Sequence, residues 1–502
     1  MILSYSDYEK LTAFSCDVVV VGTGAGGAVV GTELAEAGYQ VLLVEEGGHH
    51  PTTSFNPYVT ESVPRLYRDA SATLMFGHPA IPYVEGRCLG GSTVINGGMV
   101  YRAPERVLSH WQELAGTPDL GPKSLEPLFE HVEARVHASP QLELSVGEDS
   151  RIMIRGAERM GWRYSLNRRA QESCVGSNNC ILGCPTGAKQ STLVSYLPRA
   201  LERGAHCLTE VRVERLLIER GRCVGVRGRA INPRTQQPDR PVQVRARAVV
   251  VAAGAVQTPL LLLRHRLGAP SGQLGRNLLC HPNAKLLAVY PHRVEGWKGV
   301  SQEAQIREFH EQGLIFAENF VPPAVLAAFL CAHGAPVWRL MRRFNQMVVC
   351  GVLVEDSSSG RVSRRFGMPH AHYDITPFDQ VRFLEGIRLL AQMHFEMGAE
   401  FVVLPFANDS IARSVDELQR IVKRQLDPNQ LELFTVHIMG TARMGSRPEQ
   451  SVVGLDGELW DLPGCYVADA SVFPTAVGVN PQLTIMALAT RVASRIELGK
   501  AA

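Results

Sequence analysis

The sequence predicts an α/β protein: a Rossmann-like parallel sheet joined to an α+β domain with an antiparallel sheet. A β-branched apolar run, Cys16–Val21, ends in a cluster of glycines. Short runs of the same kind recur far apart, at 40–44, 248–254 and 465–469. Between them, residues 286–429 carry fewer glycines and a mixed pattern, as a separate unit would.

Cys16–Val21 reads as a buried parallel strand because an unbroken apolar run has no polar face to offer water. Gly22-Thr-Gly24-Ala-Gly-Gly27 makes the turn, and Ala28 to Ala37 follow as helix formers closed by Gly38. Gln40–Val44 returns as a second strand and ends in Glu45. The segment is one βαβ unit, whose crossover requires parallel pairing. Val211–Arg229 reads as two strands turned at Gly221, with another over Val242–Val251 and a helix over Thr258–Leu267. Near the C-terminus, Cys465–Asp469 reads as a strand, and a helix runs from Pro481 to Leu498. The expected units are nucleotide-binding segments at 1–115, 171–285 and 430–502, a cap segment at 116–170 and a substrate region at 286–429. No internal repeat is visible.

Composition narrows the function. Lys and Arg number 51 against 49 Asp and Glu, a formal net charge of +2, so no basic footprint for nucleic acid exists. The longest uncharged apolar run, Val321 to Trp338, is broken by Pro322, Pro323, Gly334 and Pro336, which argues against a membrane span. Residues 1–15 carry Asp7, Glu9 and Lys10 and no apolar signal core. Eleven cysteines, an odd number, argue against a secreted disulfide framework. The expectation is a cytoplasmic protein; peripheral contact with the inner membrane, or export on a partner, stays open.

Gly22, Gly24 and Gly27 form GxGxxG between a strand and a helix. That arrangement serves a tight turn, close backbone approach to a pyrophosphate and a helix N-terminus aimed at it. Glu45, 23 residues after Gly22, stands where a carboxylate binds ribose hydroxyls. These features point to a dinucleotide without separating NAD from FAD. A second glycine-rich loop, Gly86-Arg-Cys-Leu-Gly90-Gly91-Ser92-Thr-Val-Ile-Asn96-Gly97-Gly98, does separate them, because a flavin needs backbone approach along its ring.

At this loop the chain resembles the glucose–methanol–choline (GMC) oxidoreductases. Gly254-Ala-Val-Gln-Thr258-Pro259 is similar to that family's second signature, and Gly275-Arg-Asn-Leu-Leu-Cys-His281-Pro to a further loop. His437-Ile-Met-Gly440-Thr-Ala-Arg-Met-Gly, Val467-Ala-Asp469-Ala-Ser and Asn480-Pro481-Gln resemble a third block. The resemblance implies that Gly22, Gly24, Gly27 and Glu45 hold the ADP half of FAD. It implies that Gly91, Ser92 and Asn96 line the flavin and that Asp469 meets the ribityl–pyrophosphate region. Taken alone, Ser92, Asn96 and Asp469 read equally well as turn caps.

Oxidising an alcohol removes a hydroxyl proton and transfers a hydride, so a proton acceptor is needed near neutral pH, and histidine suits the task. The resemblance makes His437 the active-site base. Asn480 opens the last helix with Pro481 at its first position, as helix starts prefer. The helix N-terminus then favours negative charge on the flavin's pyrimidine edge, and the resemblance gives Asn480 a contact to the substrate hydroxyl.

Cys174, Cys180 and Cys184 fall within 11 residues. A structural turn, a single disulfide and free buried thiols are the plain readings. The spacing is also similar to the ligands of the [3Fe-4S] cluster in FAD-dependent glucose dehydrogenases of the family, which would pass electrons to a cytochrome- or quinone-linked acceptor protein. The apolar stretches Val321–Leu330 and Phe344–Val354, and the likeness of Val354 to Val362 to a strand pair of long-chain alcohol and sterol oxidisers, point to a hydrophobic alcohol. Two alternatives stand beside it: the catalytic subunit of an iron–sulfur-linked sugar or polyol dehydrogenase, and a non-redox lyase on the same fold.

Overall fold

The computed structural model describes every residue except 269, 329, 331–334, 366–367, 425–426 and 499–502. Its first sheet has eight strands. Ile2–Leu3, His206–Leu208, Val41–Val44, Ala13–Val21 and the second half of Pro238–Val251 run parallel, with Val18 opposite Val41 and Val19 opposite Val249. The first half of Pro238–Val251 belongs to an antiparallel meander with Arg222–Ile231 and Val211–Glu219. Cys465–Val467 pairs with Val249–Val251, where the meander has peeled away. Val18, Val19 and Val20 are fully buried, each contributing about 1.5–3 kcal/mol by leaving water. The helix Gly27–Glu36 covers this sheet and packs on the C-terminal helix Gln482–Ala493.

A second eight-stranded sheet is antiparallel. Its order is Ile411–Ala412, Phe401–Val403, Asn283–Val289, Met347–Val354, Leu314–Glu318, Ala304–Ile306, Tyr164–Leu166, with Leu433–Phe434 beside Asn283. One face, carrying Leu286, Val348 and Val352, packs on Phe383, Ile387 and Leu390 of the helix Pro377–Glu396. Alternation puts Lys285, Leu287 and Val289 on the other face. Its apolar half is covered by Leu326 of the helix Pro323–Ala328 and Leu340 of the helix Ala335–Met341. The Val321–Trp338 run is thus divided between burial at Val321, Leu326 and Leu330 and exposure at Trp338; its residues 329 and 331–334 lie outside the described residues. Among the described residues no helix is long and apolar enough to cross a membrane. A third sheet of five strands, Arg276–Leu278, Gly360–Arg365, Met368–His372, Thr73–Phe76 and Ile81–Tyr83, draws its strands from segments interleaved with those of the other two.

Three elements differ from expectation. The helix expected over Thr258–Leu267 spans Gln257–Leu263, and Arg266 beyond it has φ +57°, which no right-handed helix accepts. The strand pair expected around Val354 to Val362 does not form there. Met347–Val354 belongs to the second sheet, whereas Gly360–Arg365 pairs with Met368–His372 in the third. The last helix begins at Gln482 and ends at Ala493, and Pro481 is its capping residue.

Candidate active site

The first glycine loop leaves the Ala13–Val21 strand and enters the Gly27–Glu36 helix. Gly22 has φ +98°, and a Cβ there would lie 2.3 Å from the Ala252 carbonyl oxygen, so only glycine makes this turn. Gly24 differs, because nothing stands within 4 Å of where its Cβ would be. The backbone at Gly24 therefore borders open space beside the N-terminal end of a helix, the arrangement a pyrophosphate requires. Glu45 is buried at the end of the next strand. Its carboxylate accepts from Thr23 N at 3.1 Å, Thr23 Oγ1 at 2.7 Å and Gly47 N at 2.9 Å, and burial raises its pKa.

Thr23, which the sequence pattern did not single out, is the hub of this region. Its hydroxyl accepts from Gly90 N at 2.9 Å, and its carbonyl accepts from Thr192 Oγ1 at 3.0 Å. The second glycine loop is thereby tied to the first. Ser92 begins a short helix, Ser92–Ile95, and its hydroxyl accepts from Gly86 N at 3.0 Å. Asn96 ends that helix; its Oδ1 accepts from Gly98 N at 3.0 Å, and its amide donates to Gln482 Oε1 at the start of the last helix.

The cysteine segment folds against the same loop. Lys189 Nζ donates to Val94 O and Asn96 O at 2.7 Å and to Cys180 O at 2.6 Å. Cys184 Sγ accepts from Lys189 N at 3.4 Å, and Cys180 Sγ is buried near Arg169 Nη2 at 3.5 Å. Cys174 is exposed. Among the described residues no group of three His, Cys, Asp or Glu side chains is placed to hold a metal ion. The expected [3Fe-4S] ligand set of Cys174, Cys180 and Cys184 is therefore not assembled. Cys180 and Cys184 instead face a cationic side chain and a backbone N–H, and the segment braces the 86–98 loop through Lys189.

Asp469 caps the turn Ala470–Val472. Oδ1 accepts from Ser471 N at 2.8 Å, while Oδ2 accepts from Gly254 N at 2.8 Å and Thr258 Oγ1 at 2.5 Å. This carboxylate locks the Gly254–Thr258 loop to the strand end at Val467, beside the first glycine loop. Gly22, Gly24, Gly27 and Glu45, with Gly91 packed against Gly24 and Ser92 and Asn96 following along the second loop, fit an extended dinucleotide such as FAD.

Beyond Asn96 the chain brings together two residues far apart in sequence. His437 is buried, and its Nε2 lies 3.2 Å from Nδ2 of Asn480. Thr435 sets the histidine in place: its Oγ1 accepts from His437 N at 3.2 Å and donates to Cys280 O. Asn480 makes no capping bond, because the helix starts after Pro481, and its amide is free to face the imidazole. Burial, reinforced by neighbouring His281, holds the His437 pKa down to about 3, so the resting imidazole is neutral. Its Nδ1 is buried without a partner among the described residues.

His281, in the Gly275–Pro282 motif, lies beside His437. The two rings are 5.7 Å apart, edge to face at 86°. His281 Nε2 accepts from Gly478 N at 3.1 Å, and burial holds its pKa down to about 3. Asp356 carries the segment, accepting from Cys280 N at 2.8 Å and His281 N at 3.1 Å. Burial raises the Asp356 pKa to about 7. A lone histidine in a loop has no periodicity that would mark it; only its φ of +40° and the proximity created by folding do.

Comparison with known proteins agrees with this geometry. The GMC oxidoreductase family pattern matches residues 19–283 in its N-terminal part and residues 356–489 in its C-terminal part. An uncharacterised GMC-type oxidoreductase of Mycobacterium tuberculosis is 35% identical over 481 residues, covering 95% of this chain and 75% of that protein. A long-chain-alcohol oxidase of Arabidopsis thaliana is 24% identical over 523 residues, covering 96% of this chain and 68% of its own. The crystal structure of pyridoxine 4-oxidase from Mesorbium loti shares the fold, with a TM-score of 0.70 at 19% identity over 95% of this chain and 98% of that one. The chain belongs to the GMC oxidoreductases, a family of FAD-dependent enzymes.

Proposed function

We propose that this enzyme oxidises the hydroxyl of a hydrophobic alcohol to an aldehyde or ketone, with His437 taking the hydroxyl proton. The observation that carries this reading is the buried pair of His437 Nε2 and Asn480 Nδ2, 3.2 Å apart beyond the second glycine loop. FAD, when bound, supplies the hydride acceptor. Asn480 presents an amide that can hydrogen-bond the substrate oxygen and fix it beside the imidazole. Burial keeps the His437 imidazole neutral, so it has an unprotonated ring nitrogen to receive the hydroxyl proton. Loss of that proton to His437 and of the hydride from carbon together turn the alcohol into a carbonyl. His281 and Thr435 hold the ring in place, and burial keeps water from competing for the same nitrogen.

The likeness to a long-chain-alcohol oxidase supports an apolar substrate, as does the apolar cluster of Leu287, Val289, Val349 and Leu326 on the second sheet. The test is the visible spectrum of the anaerobic protein before and after a primary alcohol of medium or long chain. Bleaching of the flavin band is expected. A band unchanged by every alcohol would favour the lyase reading and overturn this one.

A further inference from the structure

The second sheet lays out a cross-strand row on the face opposite its helix-packed core. Lys285 stands opposite Gly351, Gly351 opposite Ala317, Ala317 opposite Gln305, and Gln305 opposite Ser165. Residues in such register share one face, so the row has polar side chains towards its ends and two of the smallest residues between them. Strands are ~4.8 Å apart, which puts the Cα atoms of Lys285 and Gln305 ~14 Å from each other across a shallow trough.

The polar groups of this row lack the partners that buried groups ordinarily have. Gln305 is 3% exposed, and its Oε1 has no hydrogen-bond partner among the described residues. Ser165 Oγ and, one step down the strand from Lys285, Asn283 Oδ1 are buried and equally unpartnered. Lys285 is 8% exposed, and its amine has no ion-pair or hydrogen-bond partner among the described residues, resting 4.8 Å over the Phe434 ring. Glu318, the acid whose charge reaches it, stands in the Cys350–Leu286 row on the opposite face and accepts from Ser150 Oγ and Glu303 N at 2.6 Å. A buried amine with no counter-charge is costly to keep, and here burial holds its pKa down to about 7.

The trough lies between the two parts of the active site. Gln305 Nε2 is 3.4 Å from Met99 Sδ, directly after the second glycine loop. Phe434, under Lys285, pairs with Asn283 and precedes His437 by three residues. The antiparallel pairing sends residues 435–437 towards His281 while the Asn283 strand runs the other way to Lys285. Lys285 follows His281 by four positions, so their Cα atoms are at most ~14 Å apart. A molecule with its hydroxyl at His437 would have to pass Asn283 to reach Lys285.

We infer that Lys285 is a specificity-determining residue that receives a carboxylate on the substrate, so that the preferred substrate class is a hydroxy acid of medium length rather than a simple alkanol. This rests on the proposed oxidation at His437 and names its substrate more closely. The carboxylate supplies the counter-charge that Lys285 lacks, and Ala317 offers only a methyl on this face, whereas the Asn283 carboxamide covers Gly351, its Oδ1 2.6 Å from where a Cβ would stand. Gln305 Oε1 and Asn283 Oδ1 accept hydrogen bonds from water or from further hydroxyls of the same molecule.

The experiment compares 10-hydroxydecanoate with 1-decanol as reductants of the anaerobic enzyme, and measures decanoate binding by calorimetry, in wild type, Lys285→Met and Lys285→Arg. Wild type is expected to prefer the hydroxy acid about 10- to 100-fold in kcat/KM, expressed in KM, as a charge-assisted hydrogen bond allows. In Lys285→Met that preference falls towards unity and decanoate affinity drops by the same factor, while Lys285→Arg recovers part of both. Methionine replaces a buried amine with an apolar chain of similar length, and FAD content with thermal unfolding reports whether the variant is folded. Reduction by 1-decanol with no preference for the hydroxy acid, or equal preference in wild type and Lys285→Met, overturns the inference and leaves alcohol oxidation standing. Reduction by neither compound overturns alcohol oxidation itself, and the inference with it.

Discussion

Gly91 closes on Gly24 so tightly that a Cβ on Gly91 would lie 2.8 Å from the Gly24 Cα. The two glycine-rich loops, far apart in sequence, are thus one surface, joined as well by the bond from Gly90 N to Thr23 Oγ1 at 2.9 Å. This juncture separates two kinds of glycine. Gly24→Ala places its methyl in open space, so the variant is expected to fold with a near-native Tm but to lose FAD. Gly26→Ala places its methyl 1.7 Å from the Ala468 carbonyl oxygen and is expected to fail to fold. Thermal unfolding and bound-flavin content of the two purified variants check both halves; full flavin occupancy in Gly24→Ala would remove the pyrophosphate assignment.

Asn480→Ala removes the amide facing His437 without removing a helix cap, since the Gln482–Ala493 helix takes no side-chain cap from it. Stability and FAD content are expected to hold, while the rate of alcohol-dependent flavin reduction falls about 100-fold, as loss of one oriented donor at a reacting oxygen allows. Stopped-flow absorbance under anaerobic conditions measures this directly. A Tm loss that accounts for the rate loss would make Asn480 a structural residue only.

His281→Ala strips Gly478 N of its buried acceptor, a cost of about 1–3 kcal/mol. Gly478 precedes Asn480 by two residues, so the expected outcome joins lower stability to slower reduction with FAD still bound. His281→Gln, which offers an oxygen acceptor, should recover more of the stability than of the rate, because it does not restore the ring packed edge to face on His437. Denaturant unfolding and stopped-flow reduction of both variants distinguish the two effects.

Three carboxylates cluster away from the active site. Asp149, Glu303 and Glu318 are buried, and burial raises all three pKa values, Asp149 to about 7 and Glu318 well above its ordinary range. Unfolding returns them to ordinary carboxylates, so the folded state holds the extra protons. Their contribution to stability is fully present below about pH 4 and is lost as pH rises through about 7. Asp149→Asn, which is neutral at any pH, should lose less Tm than wild type between pH 5 and pH 8. Parallel pH profiles for the two proteins would contradict the assignment.

Much of the fold was legible because it rests on local chemistry. The β-branched run before Gly22 and the acid after the next strand are enough to place one βαβ unit, and Glu45 ends its strand as expected. The last helix starts one residue later than expected, because proline suits both the capping position and the first turn, and it ends at Ala493 rather than Leu498. Thr23 and His281 were passed over for a different reason: their roles are contacts with Gly90 and His437, created by folding. The Lys285–Gly351–Ala317–Gln305 row is similarly invisible, since four strands distant in sequence set its register. The cysteine spacing does not by itself give the geometry of a ligand set: Cys174, Cys180 and Cys184 are near enough to influence one another, but among the described residues they form no metal-holding group, and Lys189 ties the segment to the second glycine loop.

The measurement that bears most directly on the central claim is single-turnover flavin reduction in His437→Ala beside wild type, under anaerobic conditions with a saturating medium-chain hydroxy acid or alcohol. His437 is predicted to act only in proton transfer, so the variant should retain bound FAD and lose reduction rate by about 100- to 10,000-fold. An unchanged rate in a variant with full FAD content would show that the hydroxyl proton goes elsewhere, and the assignment of His437 as the base would fall.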